Sequence, residues 1–392
     1  MVDKKVHDYI NKDEAIKLLQ DMIKFKTVNA PGDELPLAEF IKAKLIEMGV
    51  EESYVDAFGD NRGNVVGRIK GTGEKAALFF NGHLDTVPPG DIIWEHDPYS
   101  GVLMDNKIYG RGSADMKGGL AAMLVAMKAV KDAGWKLKGD LIYTATAGEE
   151  TDSIGAVKYT DEGGLDGVGA IIIGEPSSNG VNVAEKGAFW VEITTYGKTA
   201  HGAFPHKGIN AVVHMNALVS ELVSYKFKYE ENPIVGHPTL NISTINGGVK
   251  TNVVPDKCSV TIDMRTVPGQ VHSEIVKDFE DIIEKLSYEI KDFRAEVKVL
   301  NDRPAVETKA ANPFVKLAVK TIKEEFGKEV EAKGVNFYTD ASVFLPGRDL
   351  PCIFYGPGDA DMAHQPNEFV PVDGYMECIH FYIAMIQNYL VK

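Results

Sequence analysis

The sequence predicts an α/β protein in which a mixed, mostly parallel sheet is flanked by helices and a smaller α+β domain is inserted. Short apolar segments alternate with helical patterns through the first half of the chain, as in proteins with parallel sheets. Three of these segments end at a polar residue, which is where open α/β sheets place their ligand sites. From about Phe189 onward, segments of alternating polarity mix with helices, and this is typical of a small α+β domain.

Two amphipathic helices open the chain. Asp13 and Glu14 begin the first, because acidic residues there precede apolar residues at helical spacing. The second helix is predicted over 35–48, and Gly49 suits the position just after its last turn. Pro31 and Gly32 break the chain between them.

Apolar segments bounded by glycine-rich turns predict the buried strands of the sheet. They lie at 64–69, 76–80, 141–146 and 170–173, with a helix predicted at 120–130. The second, third and fourth segments lead into His83, Glu150 and Glu175, respectively. A repeated polar group after successive strands indicates one shared site at the end of the sheet.

The insertion is predicted to contain further strands and helices in mixed order. Its strands lie at 191–196, 259–265 and 296–300, and its helices at 211–223 and 274–286. Such an order suggests the β-α-β-β-α-β arrangement of a ferredoxin-like domain. We therefore assign residues 187–298 to the insertion and residues 1–186 and 299–392 to the main domain. In the last part we expect a helix at 313–326, a strand at 351–356 and a helix at 375–390.

Size and charge exclude several classes of protein. A chain of 392 residues with 44% hydrophobic content can bury a large core and form two domains. A net charge of −15 argues against nucleic-acid binding, which needs clustered Lys and Arg to neutralise phosphates. No apolar run approaches the about 18 residues of a membrane span, and the N-terminus lacks a signal-peptide core, so we expect a soluble, cytoplasmic protein. The three cysteines have no CxxC spacing, which argues against a disulfide framework or a thiolate zinc site.

Asp115 is the residue around which we arrange the chemistry. It lies in the glycine-rich loop Gly110-Arg-Gly-Ser-Ala-Asp115-Met-Lys-Gly-Gly-Leu120, and we interpret it as an oxygen ligand shared by two metal ions. The proposed ligands are His83, Asp115, Glu150, Glu175 and His364. Nitrogen and oxygen ligands without sulfur favour Zn²⁺, with Co²⁺ or Mn²⁺ as alternatives. Two ions about 3.5–4 Å apart could polarise a carbonyl and lower the pKa of a bridging water towards about 7. Asp115 could instead cap a helix, and His364 alone could be an ordinary loop histidine.

Two further carboxylates stand next to the proposed ligands. Asp85 is two residues after His83 on an extended strand, so it could accept from one imidazole nitrogen while the other nitrogen binds metal. The alternative is a structural histidine–aspartate hydrogen bond. Glu149 and Glu150 point to opposite sides, so one can bind metal while the other takes a proton from a metal-bound water. Here the alternative is a solvated acidic turn.

Several motifs in this order resemble the M20 metallopeptidase family, above all its acetylornithine deacetylase and succinyl-diaminopimelate desuccinylase branch. They are Asn81-Gly-His-Leu-Asp-Thr-Val-Pro-Pro-Gly90, the Asp115 loop, Gly148-Glu-Glu150, Gly174-Glu-Pro-Ser177 and Ala363-His-Gln-Pro366. The resemblance covers nearly the whole chain. It implies that His83 and Glu175 hold one ion, that Glu150 and His364 hold the other, and that Asp115 bridges them. It also implies that Glu149 is the general base, that Asp85 orients His83 and that the peptide bond after Asp115 is cis.

The same resemblance implies that the insertion is a lid that pairs with a second subunit in a homodimer. His201 would then donate to the oxyanion in the partner's active site, although a strand-end histidine bonded to the backbone is the alternative. Asn252 and Arg265 match positions that grip the substrate carboxylate, and a surface ion pair is the alternative for Arg265. Phe204 departs from the desuccinylase pattern, which has Tyr there and so provides a hydroxyl donor that this chain lacks.

The sequence therefore predicts a dinuclear amidohydrolase with two Zn²⁺ that removes an acyl group from an N-acyl amino acid in amino-acid biosynthesis. An exopeptidase of the same family, acting on short peptides, is the alternative among hydrolases. A non-catalytic amino-acid-binding or scaffold protein is the alternative from another class. Retention of all the proposed ligands together with Glu149 argues against that last alternative.

Overall fold

A computed structural model describes residues 4–392. The helices are α1 Lys12–Ile23, α2 Leu35–Glu47, α3 Lys117–Asp132, α4 Ile154–Asp161, α5 Ala211–Ser224, α6 His272–Glu289, α7 Pro313–Phe326, α8 Ala341–Phe344 and α9 Val372–Ile386. The strands up to the middle of the chain are β1 Glu52–Phe58, β2 Arg62–Ile69, β3 Ala77–His83, β4 Leu103–Met104, β5 Lys107–Tyr109, β6 Leu141–Thr146, β7 Val168–Ile173 and β8 Asn182–Glu185. The remaining strands are β9 Gly187–Tyr196, β10 Thr239–Gly247, β11 Lys257–Thr266, β12 Arg294–Arg303, β13 Val306–Glu307, β14 Lys333–Val335, β15 Cys352–Phe354 and β16 Phe369–Pro371.

Two compact units make up the chain. The first comprises the chain up to Val183 together with Glu307–Gly334 and Thr339–Lys392. The second comprises Ala184–Val306 and Val335–Tyr338. The boundary predicted at residue 298 falls inside β12. That strand belongs wholly to the second unit because it pairs with β9 from Arg294 opposite Tyr196 to Arg303 opposite Ala188.

The first unit is built on a mixed sheet whose strands follow the order β1-β2-β6-β3-β7-β15-β8. Its centre is parallel, since β3 pairs in parallel with both β6 and β7, and β7 pairs in parallel with β15. Antiparallel strands lie on either side of this parallel centre, β1 and β2 on one side and β8 on the other. This arrangement confirms the fold class predicted for the main domain.

Helices cover the central strands of this sheet. Every residue of β3 and of β6 is buried, as expected where both faces of a strand are covered. Helix α3 is apolar along most of its length and packs against α9, α1 and β3. Among residues 4–392, none of the helices combines the length and the apolar character needed to cross a lipid bilayer.

The second unit follows the chain order β9, α5, β10, β11, α6, β12, which confirms the predicted β-α-β-β-α-β insertion. Its strands form an antiparallel sheet in the order β10-β11-β9-β12. Alternate residues of β11, from Cys258 to Met264, enter a core shared with Met215 of α5 and Phe279 of α6. Asp263 and Arg265 alternate with these core residues, so they lie on the opposite face of the sheet and are half-buried.

Candidate metal centre

The parallel strands deliver polar residues to one edge of the sheet. His83 is the last residue of β3, Glu149 and Glu150 follow β6 by a few residues, and Glu175 follows β7. Because β3 lies between β6 and β7, with His83 opposite Thr146 and Asn81 opposite Ile173, the carboxyl ends of all three strands are adjacent. The convergence expected from the sequence therefore follows from strand pairing.

The loop that carries Asp115 leads into α3, whose first turn lies against the end of β7. A Cβ atom on Gly119 would lie 2.1 Å from the carbonyl oxygen of Gly174, so only glycine allows the start of α3 to approach the end of β7 this closely. The peptide bond between Asp115 and Met116 is cis. His364 follows a short 3-10 turn and has a φ of 63°, a left-handed conformation that is uncommon for a residue with a side chain.

Five predicted ligands come together as two groups that share Asp115. In the first group, Nε2 of His83 lies 3.0 Å from Oδ1 of Asp115 and 3.9 Å from Oε1 of Glu175. In the second group, Nε2 of His364 lies 3.0 Å from Oε2 of Glu150 and 3.4 Å from Oδ2 of Asp115. Within each group the ligand atoms are all within 4.8 Å of one another, and Asp115 offers a different oxygen to each histidine.

These spacings fit divalent cations. Ligand atoms about 2.0–2.2 Å from one zinc ion are no more than about 4.4 Å apart. The histidine–carboxylate distances, which range from 3.0 to 3.9 Å, lie within that limit. Oε1 of Glu150 is buried without a hydrogen-bond partner. This is expected of a carboxylate oxygen whose partner would be a bound cation. Nitrogen and carboxylate oxygen donors without thiolate suit zinc, cobalt or manganese.

Electrostatics at this site also favour cations. Burial raises the pKa of Glu149 and of Glu175 well above the usual value, and repulsion from neighbouring carboxylates raises both further. Burial alone would raise the pKa of Asp115, but hydrogen bonds from His364 and His83 lower it below its usual value. Hydrogen bonds to Asp115 and Glu150 raise the pKa of His364 to about 10. The site thus concentrates more negative charge than its two histidines compensate.

Asp85 acts through different atoms from those predicted. Nδ1 of His83 is 2.9 Å from the main-chain oxygen of Asp85, whereas the nearer carboxylate oxygen is 3.6 Å away. That carboxylate instead accepts the backbone N–H groups of Gly148, Glu149 and Glu150 at 3.0–3.1 Å. The carbonyl therefore orients the imidazole, and the carboxylate shapes the turn that carries Glu149 and Glu150.

Two buried residues at the site, Asn29 and Asp340, were not predicted from the sequence. The side-chain amide of Asn29 donates to Oδ2 of Asp85 at 2.8 Å, across 56 residues of chain. Asp340 accepts from the hydroxyl of Thr146 at 2.5 Å, and burial raises its pKa to about 6. The only sequence feature near Asn29 is the chain break at Pro31 and Gly32, which does not indicate a site residue. No motif or residue spacing around Asp340 indicates that it lies at the site.

The other predicted site residues belong to the second unit. His201 is exposed, and its Nδ1 accepts the backbone N–H of Ala203 at 3.0 Å, so a neutral ring carries its proton on Nε2. Asn252 is exposed, and its carbonyl accepts from the backbone of Gly202 at 2.8 Å. Arg265 pairs with Asp263, through Nε at 3.1 Å and Nη2 at 3.2 Å. This pair is the alternative that the sequence left open for Arg265.

The chain is similar to known proteins in both sequence and fold. The profile of Peptidase family M20/M25/M40 matches residues 79–388. A probable succinyl-diaminopimelate desuccinylase of Staphylococcus epidermidis is 32% identical over 98% of this chain and 99% of its own length. Aminopeptidase PepT from Bacillus cereus has a TM-score of 0.78 at 22% identity, covering 97% of this chain and 99% of that one. An M20 family metallo-carboxypeptidase from Sulfolobus solfataricus has a TM-score of 0.79 at 20% identity, covering 96% and 99%.

Proposed function

This chain belongs to peptidase family M20/M25/M40 and is a metal-dependent hydrolase of amide bonds, and we propose that it removes the acyl group from an N-acyl amino acid. The observation that carries the proposal is the sharing of Asp115 between the His83–Glu175 group and the Glu150–His364 group. The staphylococcal relative, named as a probable desuccinylase, supports the acyl amino acid as substrate. We propose two Zn²⁺ ions as the natural metals, with Co²⁺ or Mn²⁺ able to replace them.

Glu149 is the proposed general base. Its carboxylate lies 4.0 Å from Nε2 of His83, its side chain is only 9% exposed, and it belongs to neither ligand group. When bound, the two cations would polarise the amide carbonyl and acidify water at this edge of the sheet. Glu149 would take a proton from that water and pass it to the amine nitrogen of the leaving group. A carboxyl whose pKa is raised by burial is suited to hold that proton between the two transfers.

His201 is the proposed donor to the oxyanion. Because the backbone N–H of Ala203 occupies Nδ1, the exposed Nε2–H is the atom left to donate. We propose that it acts in the site of a partner subunit. Exposed apolar side chains on the second unit support a homodimer: Val213 and Val223 on α5 are 61% and 70% exposed, and Ile245 on the edge strand β10 is 58% exposed.

Substrate recognition is assigned to Asn252 and Arg265. The ion pair with Asp263 uses Nε and Nη2 of Arg265, and a guanidinium has five N–H donors in all, so donors remain for a substrate carboxylate. Phe204 is 50% exposed and brings no hydroxyl, so a small or apolar acyl group suits this position better than a second carboxylate does.

We also propose that the protein works in the cytoplasm, in amino-acid biosynthesis. Subcellular fractionation would test the proposed location.

A substrate panel tests the proposal. Protein stripped with a chelator and reloaded with Zn²⁺ or Co²⁺ would be assayed on N-acetylornithine, N-succinyl-diaminopimelate, dipeptides and tripeptides. We expect metal-dependent release of the free amino acid from an acyl substrate, with much weaker cleavage of peptides. Cleavage of peptides alone would favour the exopeptidase alternative. Failure of stripped protein to take up two equivalents of metal would reject the metal centre itself.

A further inference from the structure

Glu368 is a fully buried carboxylate outside both ligand groups. One of its oxygens accepts from Nη1 of Arg111 at 2.6 Å and from the backbone N–H of Gly112 at 3.0 Å. The other accepts the backbone N–H groups of Ala114 at 2.8 Å and Asp115 at 3.0 Å. The carboxylate is therefore enclosed by the loop that presents the shared ligand.

Glu368 also belongs to the segment that carries the most distant ligand. It follows His364 by a few residues and immediately precedes β16, which pairs with β5 through Phe369 opposite Tyr109. Its main-chain oxygen accepts from the backbone N–H of Gly110 at 2.9 Å. A single residue thus joins the loop before α3 to the segment that contains His364, across more than 250 residues of sequence.

This arrangement repeats the one around Asp85. There, a buried carboxylate accepts consecutive backbone N–H groups and sets the turn that bears Glu149 and Glu150. Glu368 does the same for the turn that bears Asp115. Three backbone donors directed at one anion fix the path of a loop more closely than a single ion pair does.

On the basis of the metal centre in the proposed function, we propose that Glu368 is a positioning residue that fixes Asp115 where its carboxylate can serve both ligand groups. Its carboxylate fixes the backbone of residues 112–115 and hence the direction of the Asp115 side chain. Arg111, itself buried and lying over the ring of Trp94 at 5.1 Å, balances the charge of Glu368. Because Asp115 serves both ligand groups, loss of this carboxylate weakens both metal sites together.

Glu368→Gln is the informative variant, since it keeps the shape but places an amide NH₂ against some of these N–H donors. Asp140→Asn is the matched control. Asp140 also accepts from an arginine, Arg68 at 2.9 Å, and from a backbone N–H, that of Gly71 at 2.9 Å. However, it precedes β6 at the end of that strand opposite the site. Both variants and the wild type would be titrated with Zn²⁺ and Co²⁺ against a chromophoric chelator and unfolded thermally with and without metal.

We expect Glu368→Gln to weaken both metal equivalents about 10–100-fold, the usual effect of losing a partner of a metal ligand. The stabilisation that metal adds in thermal unfolding should shrink accordingly, and the Co²⁺ absorption spectrum should change. Asp140→Asn should lower thermal stability while leaving metal affinity and spectrum as in the wild type. If Glu368→Gln binds metal like the wild type and is destabilised equally with and without it, the residue is only structural and the inference is overturned.

Two further results separate this inference from the proposed function. If the wild type itself binds no divalent cation, the proposed function fails and the inference fails with it. If the wild type binds two ions but Glu368→Gln does not fold, Glu368→Asp replaces it, because it keeps the charge and shortens the reach to the backbone donors. Unchanged metal affinity in a folded Glu368→Asp protein would equally overturn the positioning role.

Discussion

Asp85→Asn is the substitution that most directly tests how the site is built. The carboxylate of Asp85 accepts the N–H groups of Gly148, Glu149 and Glu150 and the side-chain amide of Asn29, all within 3.1 Å. Asparagine keeps one acceptor oxygen but sets an NH₂ group against the donors that faced the other oxygen. The carbonyl that holds Nδ1 of His83 at 2.9 Å is a backbone atom and survives the change.

The size of the effect follows from counting the donors left without a partner. Oδ1 accepts from Gly148 and Glu149, and Oδ2 accepts from Glu150 and Asn29. If the asparagine oxygen takes the place of Oδ1, the two donors on the other side lose their acceptor. At about 1–3 kcal/mol for each buried donor left unsatisfied, the free energy of unfolding should fall by about 2–6 kcal/mol. Reorientation of the Asn29 amide would bring the loss to the lower part of this range.

The functional consequence should fall on the turn of residues 148–150. Because Glu149 and Glu150 move with their backbone, we expect slower turnover and weaker binding of the ion assigned to Glu150 and His364. Binding at the His83 and Glu175 group should suffer less. Denaturant unfolding in the presence of a chelator measures the stability, and stepwise Co²⁺ titration measures the two affinities. If the His83 group lost its ion first, the carboxylate would act mainly on His83 and our assignment of its role would be refuted.

Three other substitutions give separate tests. Glu149→Gln should keep both metal equivalents yet lower turnover by about 10²–10⁴-fold, measured by metal analysis and steady-state kinetics; retained activity would remove Glu149 as the base. His201→Ala should cost about 10²–10³-fold in kcat without loss of metal. If His201 acts across subunits, mixing the inactive His201→Ala and Glu149→Gln proteins should restore roughly a quarter of wild-type activity, because random pairing of protomers gives some dimers one intact active site. A mixture that stays inactive would show that His201 does not act in the partner's site. Burial lowers the pKa of His380 to about 4, and repulsion from His7 adds to this shift. The folded state thus takes up this proton less readily than the unfolded state, so stability should fall as pH drops from about 6.5 towards about 4, and His380→Gln should flatten that dependence in denaturant unfolding.

Part of the metal centre was predictable because it depends on strand periodicity. Apolar segments of the length of buried strands lead into His83, Glu150 and Glu175, and parallel pairing of β3 with β6 and β7 makes those ends adjacent. The glycine-rich character of the Asp115 loop was also visible in the sequence, and in the structure Gly119 of this loop closely approaches Gly174. The order of elements in the insertion was also readable, although β10 was missed.

The hydrogen bonds around the ligands were not predictable in the same way. Asn29 meets Asp85 across 56 residues, and Glu368 meets Arg111 across 257 residues. No spacing rule connects such positions, since their distance in space depends on how whole elements pack. The main-chain oxygen of Asp85 took the role expected of its carboxylate because the turn after β6 brings backbone N–H groups to that carboxylate.

The sequence by itself thus determined the class of fold and the set of groups able to hold two cations, because both follow from local periodicity and residue chemistry. Tertiary structure alone decided which buried carboxylates bind the backbone instead of a cation. A buried anion must be satisfied by whatever donors the folded chain places beside it, and for Asp85 and Glu368 those donors come from distant loops.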